Sequence, residues 1–393
     1  MELAEQIQVH WTPELSALCH ATKNLYNLGN FYVRQFYFSL GECVNYYDLQ
    51  FMLKNSAFYK ALPAQTNQQV LRLVFQNWRA YFATLKEYKV NPAKFLGRPH
   101  PPGYKAKAGE CVAIFTNQNT RVKGNSIHFP KSCHLPALKA RVLQYQQVRV
   151  VPHGTYYTVE IIYQRAEEDL HLDKARAVGI DLGLNNLVTL ANNVGLAPRI
   201  MKGGVAKSAN QFYNKQNAKL QSKKDLQHYD FQTKKQQQLL RWRNNQVRDL
   251  FHKVSRRVIA YCIEHDIGTI AIGYNAGWKQ RLPLGRRNNQ NFAQVPHATL
   301  RAMIAYKAHI VGISVIEVNE AYTSKCSFED GESIERHAHY CGQRVRRGLF
   351  RTSAGKKINA DVNAALNILR KGVPDAFTYG IEGLVTVPCS MSL

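Results

Sequence analysis

The sequence lacks the features that would direct it across a membrane or into an oxidising compartment. Its eight cysteines form no CxxC pair and no spacing typical of a disulfide framework, so reduced thiols are expected. The N-terminal residues include acids where a secretory signal has basic residues before an apolar core. No apolar run is long enough to span a bilayer. We therefore expect a cytoplasmic protein with no membrane partner.

Acidic residues are also scarce. The 393-residue chain has 27 Asp and Glu against 52 Lys and Arg, which gives a formal net charge of +25. A surface this basic attracts a polyanion, because phosphate groups neutralise it and release counterions. With 45% hydrophobic residues, the chain is nevertheless expected to fold as a globular protein. The composition therefore predicts a folded protein that binds nucleic acid.

The N-terminal part alternates between strand and helix patterns. Residues 4–11 alternate with period two, and strand-like runs recur after residue 110. Helical patterns lie between these strands and cover residues 13–48 and 64–90. We predict a discontinuous β-barrel, residues 1–12 and 105–168, with a helical domain, residues 13–104, inserted after its first strand.

The C-terminal part, residues 169–393, alternates strands with helices and predicts an α/β domain. A Lys/Arg/Gln-rich helical stretch, residues 205–265, interrupts it. Asp181 ends the apolar run Ala-Val-Gly-Ile, and Asp361 lies in the first turn of a predicted amphipathic helix. A buried carboxylate is costly unless a cation or donor compensates it, so these positions suit metal ligands. Taken singly, each is also compatible with an ordinary turn acid or helix N-terminal acid.

Two motifs give these aspartates a family context. Gly179-Ile-Asp-Leu-Gly-Leu-Asn-Asn-Leu-Val-Thr-Leu resembles the first RuvC motif of the TnpB proteins of insertion sequences, and Asn359-Ala-Asp-Val-Asn-Ala-Ala-Leu-Asn-Ile-Leu resembles their third. The resemblance implies a RuvC-like, ribonuclease H-type nuclease domain with helical and zinc-ribbon inserts. It also implies that the predicted barrel and its helical insert are a wedge and a recognition domain.

The same resemblance implies an activity. TnpB proteins are RNA-guided DNA endonucleases related to type V CRISPR effectors, with a transposon-encoded guide RNA and a short motif read in duplex target DNA. Three carboxylates would hold two divalent cations for phosphodiester hydrolysis, and Mg²⁺ suits such ligands.

The second motif departs from the family pattern. Its strand ends in Glu in TnpB proteins, but Gly273 stands there in this chain, in Thr269-Ile-Ala-Ile-Gly-Tyr-Asn. Glu320 ends a strand expected to lie next to it, about 4.8 Å away, and its side chain can span that gap. A glycine with a shifted glutamate also occurs within the family. We predict Asp181, Glu320 and Asp361 as catalytic, metal-binding residues.

Other interpretations of the acids stay open. Glu317 lies further back along the strand than Glu320, and Glu329 and Asp330 lie in a loop. If Glu320 is an ordinary strand-end acid, the chain is a nuclease-inactive, RNA-guided DNA-binding protein. A transposase with a ribonuclease H-like acidic triad is the third interpretation.

The expected zinc ribbon, residues 322–357, lacks the usual cysteine pairs. It offers Cys326, His337, His339 and Cys341, whereas structural zinc needs about four tetrahedral ligands. We expect a degenerate insert without zinc, and zinc on these four residues is the alternative. Its basic residues would make it an arm that faces phosphates.

Nucleic-acid contacts are predicted at several sites. Gln69, Arg72 and Gln76 share one helical face and are of the types that read adenine and guanine edges, although a plain solvated face fits equally. The 205–265 stretch has aromatic residues interleaved among its basic residues. This composition suits contacts with the phosphate backbone of a nucleic acid. The complete predicted set is Gln69, Arg72, Gln76, Asn117, Gln118, Arg241, Arg243, Arg248, His252, Lys253, Arg256, Lys279, Arg346 and Arg347.

Overall fold

The computed structural model describes residues 1–275, 295–346, 348–378 and 384–392. The chain separates into two compact units, Met1–Arg165 and Ala166–Leu393, close to the boundary that the sequence predicts. Each unit has its own hydrophobic core.

Helices and short antiparallel sheets form the first unit. Its strands are β1 (Glu2–His10), β2 (Ala113–Thr116), β3 (Arg121–Lys123), β4 (Ser126–His128), β5 (Leu138–Lys139), β6 (Gln147–Pro152) and β7 (Tyr156–Gln164). Its α-helices are α1 (Pro13–Leu40), α2 (Tyr46–Leu53), α3 (Ala57–Lys60) and α4 (Ala64–Val90). The predicted closed barrel is not confirmed, because the strands form two sheets with the orders β1-β7-β6-β2 and β3-β4-β5. Among the described residues, no pairing joins the edge strands β1 and β2.

The helix predicted over residues 13–48 is shorter than expected. Thr12 caps the start of α1 by accepting a hydrogen bond from the amide of Leu15. Gly41 then adopts a left-handed conformation, with φ of 72°, which ends the helix. Asn45 caps a separate helix, α2.

The second unit is an α/β structure, as the sequence predicts. Its strands are β8 (Ala177–Asp181), β9 (Asn186–Asn192), β10 (Arg199–Lys202), β11 (Thr269–Tyr274), β12 (Ser314–Asn319), β13 (Gln343–Arg346), β14 (Leu349–Arg351), β15 (Lys357–Asn359) and β16 (Cys389–Ser390). Its α-helices are α5 (Gly204–Leu226), α6 (Lys234–Glu264), α7 (His297–Ile310) and α8 (Ala360–Gly372). The predicted helical stretch 205–265 is thus two helices, and a capping box between Thr233 and Gln236 starts the second.

A six-stranded mixed sheet organises this unit, in the order β12-β11-β8-β9-β10-β16. Strands β8, β11 and β12 run parallel, while β9 is antiparallel to β8 and β10. The predicted adjacency of β11 and β12 is confirmed, because Gly273 pairs with Val318. Helix α8 packs so closely on β8 that a Cβ on Gly179 would lie 2.1 Å from the carbonyl oxygen of Ala365. Strands β13, β14 and β15 form a separate small sheet.

None of the helices in the described ranges is both long and apolar enough to cross a bilayer.

Candidate active site

Three carboxylates from separate elements line one cavity of about 520 Å³. Asp181 ends β8, Glu320 directly follows β12, and Asp361 lies in the first turn of α8. Because the carboxyl ends of parallel strands meet at one edge of a sheet, residues that follow β8, β11 and β12 converge there. The structure therefore brings the three predicted acids to a single site.

The start of α8 fixes the position of Asp361. The side chain of Asn359 accepts hydrogen bonds from the amides of Asp361 and Val362, at 2.9 and 3.2 Å, and so caps the helix. Asn186, at the start of β9, donates a hydrogen bond from its Nδ2 to Asp361 Oδ2 at 2.7 Å. A guanidinium nitrogen of Arg344 in β13 lies 3.6 Å from Asp361 Oδ1. Both oxygens of this carboxylate thus have a partner.

The side chain of Glu320 occupies the space over Gly273. A Cβ added to Gly273 would lie 2.4 Å from Glu320 Oε1 and 2.8 Å from Glu320 Cγ. The backbone holds Glu320 in place, because its amide donates to the carbonyl of Tyr274 at 3.0 Å and its carbonyl accepts from Thr323. The glycine in β11 and the glutamate after β12 are therefore sterically complementary.

Burial and like charges raise the proton affinity of this site. Desolvation raises the pKa of Asp181 well above its usual value, and repulsion by Glu320 and Asp361 raises it further, while Arg344 opposes the shift. Burial raises the pKa of Glu320 to about 7, against a lowering contribution from Arg301. The acids therefore repel one another in a partly desolvated cavity.

The donor chemistry fits a hard divalent cation. Carboxylate oxygens are the ligands that Mg²⁺ prefers, and a cation would relieve the repulsion that raises the pKa of Asp181. Within the described ranges, however, no three Asp, Glu, His or Cys side chains stand close enough to share an ion. Asn186 and Arg344 contact the two oxygens of Asp361 that would also face a cation in this cavity.

The rival acids have partners elsewhere. Glu317 forms an ion pair of 2.7 Å with Arg301, whose guanidinium lies 5.2 Å from the ring centroid of Tyr274. Glu329 pairs with Lys356 at 2.7 Å, and Asp330 accepts hydrogen bonds from Ser353. None of these three acids lines the cavity that holds Glu320.

The four candidate zinc ligands do not form a zinc site. Cys326 is buried, with its sulfur 3.6 Å from the carbonyl oxygen of Glu335. His337 Nε2 lies 2.8 Å from the carbonyl oxygen of Ser333. His339 and the exposed Cys341 line a different cavity of about 610 Å³. These residues do not fit a zinc ion, and no other ligand group arises in the described part of the chain.

In the first unit, two predicted segments lie together. Arg72 and Gln76 are exposed on α4, with Gln69 half-buried on the same face, and the exposed Asn117 and Gln118 follow β2. Gln65 connects the two segments, since its Nε2 donates a hydrogen bond to Gln118 Oε1 at 2.9 Å, and Asn119 donates to Thr66 beside it.

Sequence reasoning missed Gln65. Its position four residues before Gln69, on the same helical face, was the available signal.

The predicted basic residues of α6 divide by exposure. Arg248, Lys253 and Arg256 are exposed, although Lys253 pairs with Asp249 at 2.7 Å. Arg241, Arg243 and His252 are half-buried. Arg243 Nε donates to Asn210 of α5 at 2.7 Å, so it also joins the two helices.

The remaining predicted contacts lie near the insert or in segments that are not described. Arg346 is exposed at the end of β13. Lys279 and Arg347 lie outside the described residues. Arg344, two residues before Arg346, lines the cavity, and only its place in a basic loop pointed to it.

Comparisons with known proteins cover the region that supplies this cavity. Residues 160–279 match the family model described as "Probable transposase" (OrfB_IS605), and residues 297–368 match "Cas12f1-like, TNB domain". The first match includes Asp181 and Gly273, and the second includes Glu320 and Asp361.

Two curated relatives support the same relationship. The chain is 28% identical over 212 residues to "TnpB-like protein ORF457" of Acidianus two-tailed virus, which is 50% of this chain and 42% of the relative. It is 33% identical over 118 residues to "CRISPR-associated endodeoxyribonuclease Cas12f1" of Sulfoacidibacillus thermotolerans, which is 30% of this chain and 25% of the relative. The matched segments thus span less than half the length of either relative.

A solved structure supports the fold. The chain resembles Cas12f1 in the "Cryo-EM structure of the Cas12f1-sgRNA-target DNA complex", with a TM-score of 0.58 and 15% identity over 90% of this chain and 81% of that one. The resemblance to TnpB proteins that the motifs indicate is confirmed by the sequence matches, and the structural likeness concerns the fold alone.

Proposed function

We propose that this chain, a relative of the TnpB and Cas12f1 proteins over its C-terminal half, is an RNA-guided DNA endonuclease. Its nuclease domain is residues 169–393, and Asp181, Glu320 and Asp361 bind the metal. The observation that carries the proposal is the side chain of Glu320, which fills the space left by Gly273 beside the two aspartates. It supplies a third acid where the second motif has lost one.

Each polar residue of the cavity has a part in this reaction. Bound Mg²⁺, expected as two ions, would stabilise the attacking and leaving oxygens of the phosphodiester. Asn186 orients Asp361 through its 2.7 Å hydrogen bond. Arg344 binds a phosphate oxygen of the DNA strand, since its guanidinium lies 3.6 Å from Asp361 and guanidinium groups match phosphate geometry. When Arg344 leaves Asp361 to bind the phosphate, the carboxylate of Asp361 becomes available to a cation.

The nucleic-acid partners follow from charge and relationship. A transposon-encoded guide RNA pairs with target DNA, and exposed Arg248, Lys253 and Arg256 of α6 contact phosphates. The first unit corresponds to the wedge segments, residues 1–12 and 105–168, apart from their last three residues, and to the recognition domain, residues 13–104. Its surface of Gln69, Arg72, Gln76, Asn117 and Gln118 reads a short motif in duplex DNA beside the target, with Gln65 joining the two segments.

A cleavage assay with matched variants tests the assignment of Glu320. The protein is copurified with its bound RNA, and a duplex matching the sequenced RNA is incubated with Mg²⁺. Glu320→Ala should lose cleavage by about a hundredfold or more, because the cation loses a ligand. Glu317→Ala is the control, since Glu317 lies on the same strand but pairs with Arg301 instead of lining the cavity.

Three outcomes would contradict the proposal. Normal cleavage by Glu320→Ala would remove Glu320 from the site. Guide-dependent binding of the duplex by the wild-type protein without any cut would establish the nuclease-inactive alternative, and joining of DNA ends without RNA would establish the transposase.

A further inference from the structure

The insert that carries Arg344 is held together around a buried carboxylate. Glu332 is only 7% exposed, yet it lies in a segment whose neighbours Ser333 and Glu335 are polar. Burial of an ionised acid is unfavourable unless hydrogen bonds satisfy its oxygens. The position of Glu332 therefore requires specific partners.

The backbone supplies those partners from two separate segments. Glu332 Oε2 accepts from the amide of Ser327 at 2.7 Å, and Oε1 accepts from the amide of Cys341 at 2.9 Å. Hydrogen bonds to a charged acceptor are short and about twice as strong as neutral ones. One carboxylate thus crosslinks the segment after Cys326 to the segment that leads into β13.

A second carboxylate links another part of the insert. Asp330 accepts from the amide and the hydroxyl of Ser353, at 3.0 and 2.6 Å. This link joins the turn near Asp330 to the turn between β14 and β15, and it does not involve β13. Among the described residues of the insert, these two links join different segments, and the ion pair of Glu329 with Lys356 is a further link that does not reach β13. The candidate zinc ligands of the same region do not come together.

The first crosslink lies next to the active site. Cys341, bound by Glu332, is followed closely by β13, whose Arg344 lines the catalytic cavity and approaches Asp361. Movement of the Cys341 backbone would shift this arginine, because β13 is only four residues long and all of them are exposed. The path from Glu332 to the cavity is therefore short and continuous.

We propose that Glu332 is a positioning residue that takes over the crosslinking part of a structural metal and holds Arg344 toward Asp361. This inference rests on the proposed nuclease function for its catalytic consequence. Its structural consequence, an ordered β13 without zinc, is independent of that function.

The catalytic consequence is tested by a double-mutant cycle. Glu332→Gln keeps the size of the side chain but leaves one of the two amides without an acceptor. It should lower kcat about tenfold and leave the affinity for matched duplex DNA unchanged. In an Arg344→Ala background, the same change should have no further effect on kcat, because the residue acts through Arg344. Asp330→Ala is the control, since it removes both acceptors of the crosslink that does not reach β13.

Hydrogen exchange of the protein in the absence of DNA tests the structural consequence. Glu332→Gln should accelerate exchange of the amides of residues 341–346, while Asp330→Ala should accelerate those near Ser353 instead. If Glu332→Gln does not fold, Glu332→Asp, which is too short to reach both segments, replaces it in both experiments. The purified wild-type protein should hold no stoichiometric zinc, and EDTA should leave its melting temperature unchanged.

The outcomes separate the two proposals. Additive effects of Glu332→Gln and Arg344→Ala on kcat, unchanged exchange at residues 341–346, or one zinc per chain would overturn the role of Glu332. Altered exchange at β13 in a protein that never cleaves DNA would instead remove the nuclease proposal and keep the crosslink.

Discussion

At the scale of single residues, the absence of a side chain at Gly273 has the largest consequence. Gly273→Ala adds one methyl group that would lie 2.4 Å from Glu320 Oε1 and 2.8 Å from Ile368 Cδ1. The flexible carboxylate can move away from this contact, so the fold should survive with a modest loss of stability, about 1–3 kcal/mol. Cleavage of matched duplex should fall about tenfold or more, because Glu320 leaves its position.

Gly204→Ala is the matched control for this change, since a Cβ there meets nothing within 4 Å. Wild-type cleavage rates in Gly273→Ala would show that Glu320 acts from another position or not at all. Thermal melting of both variants separates loss of activity from loss of fold.

The raised pKa of Glu320 predicts a pH dependence of stability in metal-free protein. Its pKa rises from 4.5 to about 7 on folding, so the protonated acid favours the folded state. This contribution is fully present below pH 4.5 and is lost as the pH rises through about 7. Between pH 4.5 and about 7, the melting temperature of the wild-type protein should therefore fall relative to that of Glu320→Gln. At pH 8, Mg²⁺ should raise the melting temperature of the wild-type protein more than that of Glu320→Gln.

Melting curves at a series of pH values, with and without Mg²⁺, measure this effect. Glu317→Gln serves as control, because Glu317 lies outside the cavity. A constant difference between wild type and Glu320→Gln from pH 4.5 to 8 would contradict the burial of the Glu320 carboxylate.

At the scale of elements, the sequence predicted the strands and the helix that deliver the three acids. Asp181 and Asp361 were identified by apolar patterns and family motifs. Glu320 followed from the expected adjacency of β11 and β12, which the structure confirms. The structure places the three acids in one cavity, and this placement depended only on local periodicity and on one strand pairing. Their catalytic role stays a prediction.

Other features depended on contacts that no local pattern contains. The approach of Arg344 to Asp361 joins a short exposed strand to the start of α8, and Glu332 receives amides from two distant segments. Closure of the predicted barrel required a pairing between edge strands, and short strand patterns do not specify it. The division of the 13–48 helix depended on the conformation of Gly41, since a glycine within a helical pattern can also continue the helix.

At the scale of the whole molecule, the net charge of +25 predicts a steep dependence of binding on salt. Each phosphate contact contributes about −0.9 to the slope of log K against log salt for duplex DNA. With about six or more such contacts, affinity for an unmatched duplex should fall roughly a thousandfold between 50 and 200 mM salt. Fluorescence anisotropy over this range measures the slope.

The exposed cations of α6 provide the matched comparison. Arg248→Ala and Arg256→Ala combined should make the slope shallower by roughly two units, and Lys253 is kept because it pairs with Asp249. Lys356→Ala should leave it unchanged, because Lys356 pairs with Glu329. A wild-type slope close to zero would contradict the assignment of nucleic acid as the partner of this basic surface.

The complementarity of Gly273 and Glu320 also bears on how relatives are classified from genome sequences. A search that demands an acid at the end of the second motif strand would discard this chain as incomplete, although three carboxylates line its cavity. The two positions are sterically coupled in this chain, since a Cβ at Gly273 would collide with Glu320. Scoring the two positions together would keep chains in which the glutamate has moved to the adjacent strand, whereas scoring each position alone would reject them.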